Sequence, residues 1–182
     1  NFVVEATNDG IWDWGIQTGA VYFSPQWMRL LGYSPDEVRL STEFFFTIVH
    51  PDDRARTAQV LQEHLDGRIP VKQVEIRLRQ KSGDYRWYLD RGKVVARDQD
   101  GRPLRMVGVI TDISERKQAQ EALRLSEERF RSLFENSPIA YQSLDREGRF
   151  IDVNQRLCRL LGYEKEELIG SDFGDLWAGN VQ

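Results

Sequence analysis

Cysteine is almost missing from this chain, with Cys158 the only one among 182 residues. That excludes an internal disulfide and a thiolate-built metal cluster. It suits a reducing compartment, and a lone helix thiol is expected to be buried as a small apolar side chain. Histidine is nearly as scarce, at His50 and His64. Neither stands beside a nucleophile or within a ligand set, so these residues hold no constellation on which to found an enzyme. No apolar run approaches the ~20 residues of a membrane-spanning helix, and no membrane contact is expected. The chain opens at Asn1 with no Met and no charged-then-apolar leader, as expected for a piece of a longer protein whose targeting signal lies elsewhere. The expected location is cytoplasmic.

Aromatic and charged side chains, in contrast, are plentiful. Nine Phe, six Tyr and five Trp bring large areas to bury. The balance of 40% hydrophobic and 30% charged residues is that of a globular protein, and the length suits one large or two small domains. The net charge of -4 hides a pattern: residues 1–67 carry -6, residues 68–105 carry +6, and residues 106–182 carry -4. A basic middle could serve nucleic acid. Its Arg and Lys alternate with apolar residues, however, as on the solvated face of a sheet. An acidic chain also repels phosphate backbones, so no nucleic-acid binding is expected.

Punctuation and periodicity divide the chain. Gly10–Ile16 and Ala20–Phe23 read as a short hairpin around Thr18-Gly19. Ser24-Pro25 then starts a short helix that carries Trp27, Met28, Leu30 and Leu31 and stops at Gly32. Ser34-Pro35-Asp36-Glu37 is a capping box that opens a second short helix. Pro51-Asp52-Asp53 opens a third, with first-turn acids suited to the helix dipole and Gly67 as its stop. Beyond Gly67 the period falls from 3.6 to 2. Val74, Ile76 and Leu78 alternate with polar residues. After a turn at Lys81–Asp84, Tyr85, Trp87 and Leu89 share a face. After Asp98–Gly101, Leu104, Met106, Gly108 and Ile110 share another, which predicts a three-stranded antiparallel meander. Asp112 is expected to cap a charged helix from Ser114 to about Glu135, ended ahead of Pro138. Its residues Ala119, Leu123, Ser126, Phe130 and Leu133 follow a 4-3-4-3 spacing, which suits either a short coiled-coil seam or an amphipathic helix on its own domain.

The pentapeptide RLLGY occurs at Arg29–Tyr33 and again at Arg159–Tyr163. At that shift of 130 positions Glu5 meets Glu135, Thr7 meets Ser137, Val21 meets Ile151, Ser24 meets Asn154, Glu37 meets Glu167 and Val38 meets Leu168. Pattern and punctuation match together, so the second pentapeptide belongs to a second copy of the same domain. Gln182 corresponds to Asp52, so the meander of that copy is not in this sequence. Residues 136–182 are expected to be disordered or completed by another chain, since half a sheet leaves open edges.

These motifs resemble the PAS/PAC (S-box) sensory domain family. The resemblance is carried by Gly10-Ile11-Trp12-Asp13-Trp14, RLLGY, Val49-His50-Pro51-Asp52-Asp53-Arg54, Arg79–Gly83 with Arg86-Trp87, Asp100-Gly101 and Asp112-Ile113-Ser114-Glu115-Arg116-Lys117, in order over residues 1–117. The stretch from Ser126 through Pro138 and onward is similar to the first half of a second such domain. The resemblance implies an α+β fold, a five-stranded antiparallel sheet with short helices on one face. The expected division is a PAS domain with its PAC segment at 1–113, a linker helix at 114–135 and a partial second PAS domain at 136–182. It further implies a sensor module of a bacterial signalling protein, of the histidine kinase or diguanylate cyclase type, which acts on output domains of the same chain. No nucleotide-binding glycine loop, phosphoacceptor-histidine helix or cyclase signature lies in these residues, and no enzyme activity of their own is expected.

The family's flavin-adduct cysteine motif is missing, and Cys158 lies elsewhere. The position of the family's haem-ligating histidine falls near Arg56, with His64 later on the same helix, read as a surface or boundary residue. Neither adduct chemistry nor haem is expected, while a small organic ligand or a non-covalent flavin stays open. Trp12, Trp14, Tyr22, Phe23, Trp27, Tyr33, Phe44, Phe45 and Phe46 are rich enough to line a cavity or to fill it, with Asn8 or Tyr33 as polar groups to orient a ligand. For signal relay the resemblance points to Asp112, Ile113 and Ser114, and a carboxylate at Asp112 is expected to pair with a base on a neighbouring strand, Arg91 or Lys93. A homodimer is expected. The alternative is a ligand-free dimerisation spacer that mediates protein–protein interaction.

Overall fold

The computed structural model describes residues 8–37 and 41–174. Glu5, Thr7 and Val38, three of the positions matched by the repeat, lie outside the described residues, as do 175–182. The chain divides into two compact units, Asn1–Gln118 and Ala119–Gln182.

In the first unit, β1 (Gly10–Gly15) and β2 (Val21–Phe23) form the early hairpin. Helix α1 (Pro25–Leu31) follows, capped as its Ser-Pro start requires: Ser24 Oγ accepts the Trp27 N–H, and Gly32 closes the helix at φ 79°. That left-handed value is one glycine adopts at no steric cost. A 3-10 turn spans Pro35–Glu37, where Glu37 accepts the Ser34 N–H at 2.9 Å. Helix α2 (Thr42–Ile48) was not foreseen, because the run Phe44-Phe45-Phe46 has no helical period; its signal is the Ser41 cap on the Phe44 N–H. Helix α3 (Pro51–Leu65) starts on His50, whose Nδ1 accepts the Asp52 N–H at 3.3 Å.

The meander is β3 (Lys72–Arg79), β4 (Tyr85–Arg97) and β5 (Pro103–Asp112). With the hairpin it makes one antiparallel sheet in the order β2-β1-β5-β4-β3. The sheet's inner face carries Trp12, Val74, Ile76, Leu78, Tyr88, Met106 and Ile110, all buried with Trp27, Met28, Leu31, Ile48 and Val49. On β4 the stripe Tyr85, Trp87, Leu89 is not the core face: Tyr88 and Asp90 point inward instead. Tyr88 Oη donates to the Leu30 carbonyl and accepts from Gln80, both at 2.8 Å. Satisfied polar groups can therefore hold a core face that apolar alternation does not reveal.

Helix α4 (Ser114–Glu135) begins in the first unit and ends in the second. The second unit repeats the opening of the first: β6 (Gln142–Leu144), β7 (Phe150–Val153), α5 (Gln155–Leu161) and the one-turn α6 (Lys165–Leu168) surround Phe150, Val153, Leu157 and Leu168. The repeat extends to individual hydrogen bonds. Ser24 Oγ accepts from Ile11 N and Trp27 N; 130 positions on, Asn154 Oδ1 accepts from Tyr141 N and Leu157 N. Gly162 closes α5 at φ 79°, as Gly32 closes α1. Residues 136–174 thus form a hairpin and helices around their own small core, where disorder was one of the two outcomes expected.

Candidate functional site

Between the sheet's inner face and helices α2 and α3 lies a cavity of about 350 Å³. Trp12 is its floor. The indole lies against the paired glycines Gly92 and Gly108 of β4 and β5, where a Cβ would overlap the ring. The indole Nε1 donates to Asp90 Oδ1 at 3.0 Å, and Asp90 Oδ2 takes the ammonium of Lys72 in an ion pair. Both partners are buried, Lys72 at 4% and Asp90 at 1% exposure. Lys72 also stands over the rings of Trp12 and Phe45, 5.1 and 5.8 Å from their centroids. Trp14, Val21, Phe23, Phe45, Phe46, Leu61 and Met106 supply apolar wall, with Thr42, Glu43 and Thr57 among the polar lining.

Of the aromatic residues singled out in the sequence, Trp12, Trp14, Phe23, Phe45 and Phe46 line this cavity. The others do not. Tyr22 sits on the opposite side of its strand and is exposed. Trp27 is wholly buried core, stacked on Phe23 with centroids 3.9 Å apart. Tyr33 and Phe44 meet edge to face at 5.6 Å and pack on the core without reaching the cavity. Asn8 is exposed near Gln26, close to the start of α4. His64 is no surface residue: it is 3% exposed, its Nδ1 is 2.9 Å from the Ile69 carbonyl, and its Nε2 accepts the Val94 N–H at 2.9 Å. Sequence reasoning missed Lys72 and Asp90, the cavity's charged pair. Each reads locally as one more charge on a half-exposed strand, and only the β3–β4 register, with Lys72 opposite Gly92 and Asp90 opposite Val74, brings them together.

The junction with α4 lies at the end of the same strands, with Glu75 and Trp87 on the outer face and Asp112 on the inner side, opposite Tyr88. Asp112 Oδ1 accepts the Ser114 N–H at 2.8 Å, one residue farther out than a helix cap. Its base is Arg86, at 3.5 Å, rather than Arg91 or Lys93. The register places Asp112 opposite Tyr88, whereas Arg91 lies opposite Val109 and Lys93 opposite Val107, both exposed on the outer face. Ile113 N–H donates to the Trp87 carbonyl at 2.9 Å, and Ser114 Oγ accepts the Trp87 N–H at 3.2 Å. Glu75 on β3 holds the first turn of α4 through Arg116 at 2.5 Å and Lys117 at 2.6 Å. The Lys117 hydrogen bond, with help from Arg116, keeps Glu75 below the usual carboxylate range against the opposing effect of partial burial. Lys117 and Arg77 both stand over the Trp87 ring, 4.8 and 5.2 Å from its centroid. No reading of the sequence paired Glu75 with α4.

A family model described as PAS fold matches residues 20–110, and one described as PAS domain matches residues 128–181. The sensor protein FixL of Bradyrhizobium diazoefficiens is 29% identical over 93% of this chain and 33% of its own length. The probable diguanylate cyclase DgcE of Escherichia coli is 25% identical over 91% of this chain and 15% of its own. The chain therefore spans a third or less of these curated relatives. A solved structure of a sensory box histidine kinase/response regulator from Burkholderia thailandensis E264 superposes with a TM-score of 0.63 at 40% identity, covering 72% of this chain and 97% of that one.

Proposed function

The chain belongs to the PAS domain family, a sensory signalling module, and from that premise we propose that its first unit reads the occupancy of the sheet cavity and passes it to α4. One observation carries the reading: β3 and β4 bear the cavity on one face and the helix anchors on the other. Lys72 and Asp90 face inward, while Glu75 and Trp87 face outward to Arg116 and Lys117. A ligand that shifts either strand by a fraction of an ångström changes the seat of α4, because close-packed strands transmit rather than absorb displacement. Asp112, Ile113 and Ser114 complete that seat, with Arg86 as the base expected of Arg91 or Lys93. The outputs in view are a histidine kinase or a diguanylate cyclase in the same polypeptide, by analogy with the relatives. The test is Glu75→Gln and Asp112→Ala in the full-length protein. Both are expected to uncouple output from signal while the sheet stays folded; wild-type signalling in both would overturn the relay.

A second reading concerns assembly. Leu123, Phe130 and Leu133 share one face of α4 and are exposed at 61%, 66% and 66%. A homodimer through this seam suits either a sensor or a ligand-free spacer, because isologous contact of one helix face needs only two-fold symmetry. Sedimentation of the chain as a monomer at high concentration would remove this reading and leave the relay untouched.

A further inference from the structure

We propose that the cavity takes a small, uncharged, apolar molecule of the alkylbenzene class, held by burial against the aromatic wall and not by hydrogen bonds. The proposal rests on the ligand-sensing reading of the cavity and gives that ligand a chemical class.

The surface a guest can touch carries it. Trp14, Val21, Phe45, Phe46 and Leu61 line the cavity and are only half-buried, so apolar surface stays open. The polar groups among and behind them do not. Thr57 exposes 0%, Asp90 1% and Lys72 4% of its surface, cavity and solvent together. The Trp14 indole nitrogen is sealed as well, so that ring offers carbon alone. Thr57, Asp90 and Lys72 keep unused lone pairs and N–H groups, with next to no surface through which a ligand could reach them. Lys72 and Asp90 also satisfy each other, and Asp90 takes the Trp12 indole besides. Thr42 and Glu43 are the other polar residues of the lining. They stand in the first turn of α2, Thr42 half-buried and Glu43 exposed. A hydrogen bond offered there competes with water and gains little net.

The cost of desolvation sorts the ligand classes. A carbonyl or hydroxyl carried against this wall gives up its water and finds no partner, and an ion loses far more. An anion also meets the carboxylates of Asp90 and Glu43 as a further like charge. A cation meets the Lys72 ammonium, already set over the rings of Trp12 and Phe45. A hydrocarbon has no such cost and gains from the apolar area it buries, which is how dry apolar cavities bind apolar guests. Size and shape narrow the class. About 350 Å³ lies near the lower end of ligand cavities, and the flat Trp12 floor against Gly92 and Gly108 suits one ring with a short alkyl chain.

Four probes on one ring test this by calorimetric titration of the whole chain: ethylbenzene, acetophenone, benzoate and phenyltrimethylammonium. Ethylbenzene is expected to bind about tenfold more tightly than acetophenone, the ratio set by burying one carbonyl without a partner, and more tightly than either ion. Leu61→Trp fills the cavity from α3 and should weaken ethylbenzene binding severalfold while thermal melting stays cooperative. Val21→Phe makes the same test from β2 should Leu61→Trp fail to fold. Acetophenone binding as tightly as ethylbenzene, tighter binding of either ion, or undiminished ethylbenzene binding in a folded filling variant would each overturn the assignment. Failure of all four probes would overturn it too. The relay reading answers separately, to the Glu75 and Asp112 variants.

Discussion

Asp90 carries more of the first unit's stability than its single charge suggests, because it accepts from Trp12 and pairs with Lys72 at 1% exposure. Asp90→Ala leaves a buried ammonium unpaired and is expected to cost about 3–5 kcal/mol in chemical denaturation. The double change Lys72→Met with Asp90→Leu should recover most of that loss, since paired apolar replacements are close to neutral. Tyr88 gives a pH signature at the same scale. Burial pushes its phenol from 10.0 up to about 12. A folded-state value above the unfolded one means stability is fully present below pH 10 and falls as pH rises toward 12. Urea midpoints across that window should drop less in Tyr88→Phe than in the parent. Trp12 and Trp14 were legible in the sequence as members of an aromatic-rich hairpin. Lys72 and Asp90 were not, because an ion pair between strands has no local pattern. The same holds for Tyr88, hidden between Trp87 and Leu89, whose apolar stripe turned out to face outward.

At the scale of elements, α4 is held at its start by groups it does not contain. Glu75→Gln is expected to raise amide hydrogen exchange over Ser114–Gln118 severalfold without changing exchange in β3. Acid should mimic the substitution. Glu75 is held below its usual 4.5 by Lys117 and Arg116, so the anchor's contribution is present above that value and is lost as pH falls through the lowered folded-state value. Exchange measured from pH 5 downward should show the first turn of α4 loosen in the parent, and Glu75→Gln should flatten that response. Helix starts were mostly readable: Ser24-Pro25, His50-Pro51 and Asn154 act as caps where punctuation placed them. Helix α2 was not, since three consecutive Phe carry neither period. The base opposite Asp112 was misplaced for a related reason. Arg86, Arg91 and Lys93 are all plausible by composition, and only the hydrogen-bonded register ranks them.

For the whole molecule, the two units differ in how completely they bury themselves. The first closes a five-stranded sheet over one core. The second pairs two strands and leaves Ile139, Ile151, Leu160 and Tyr163 exposed. Residues 1–118 produced alone should therefore unfold cooperatively, whereas residues 119–182 alone should melt broadly and at lower temperature, as small buried area dictates; circular dichroism of the two pieces checks this. The seam of α4 makes the remaining prediction. On the dimer reading proposed above, Leu123→Glu with Phe130→Glu is expected to leave the chain monomeric in sedimentation and the melting of the first unit unchanged.

The sequence alone was enough for the order of elements apart from α2 and for the repeat at 130 positions, because both rest on local spacing, in caps, glycine stops, alternation and a duplicated RLLGY, and its motifs were enough for the resemblance to the family. Tertiary structure alone decided which aromatics surround space and which fill it. Trp14 and Trp27 are the same residue type on neighbouring elements, yet one lines the cavity and the other is sealed core. It also decided that Lys72 meets Asp90 and that Glu75 meets Lys117. Those pairings depend on strand register and on the path of the chain in three dimensions, and charges brought together that way leave no trace in the spacing of the residues that carry them.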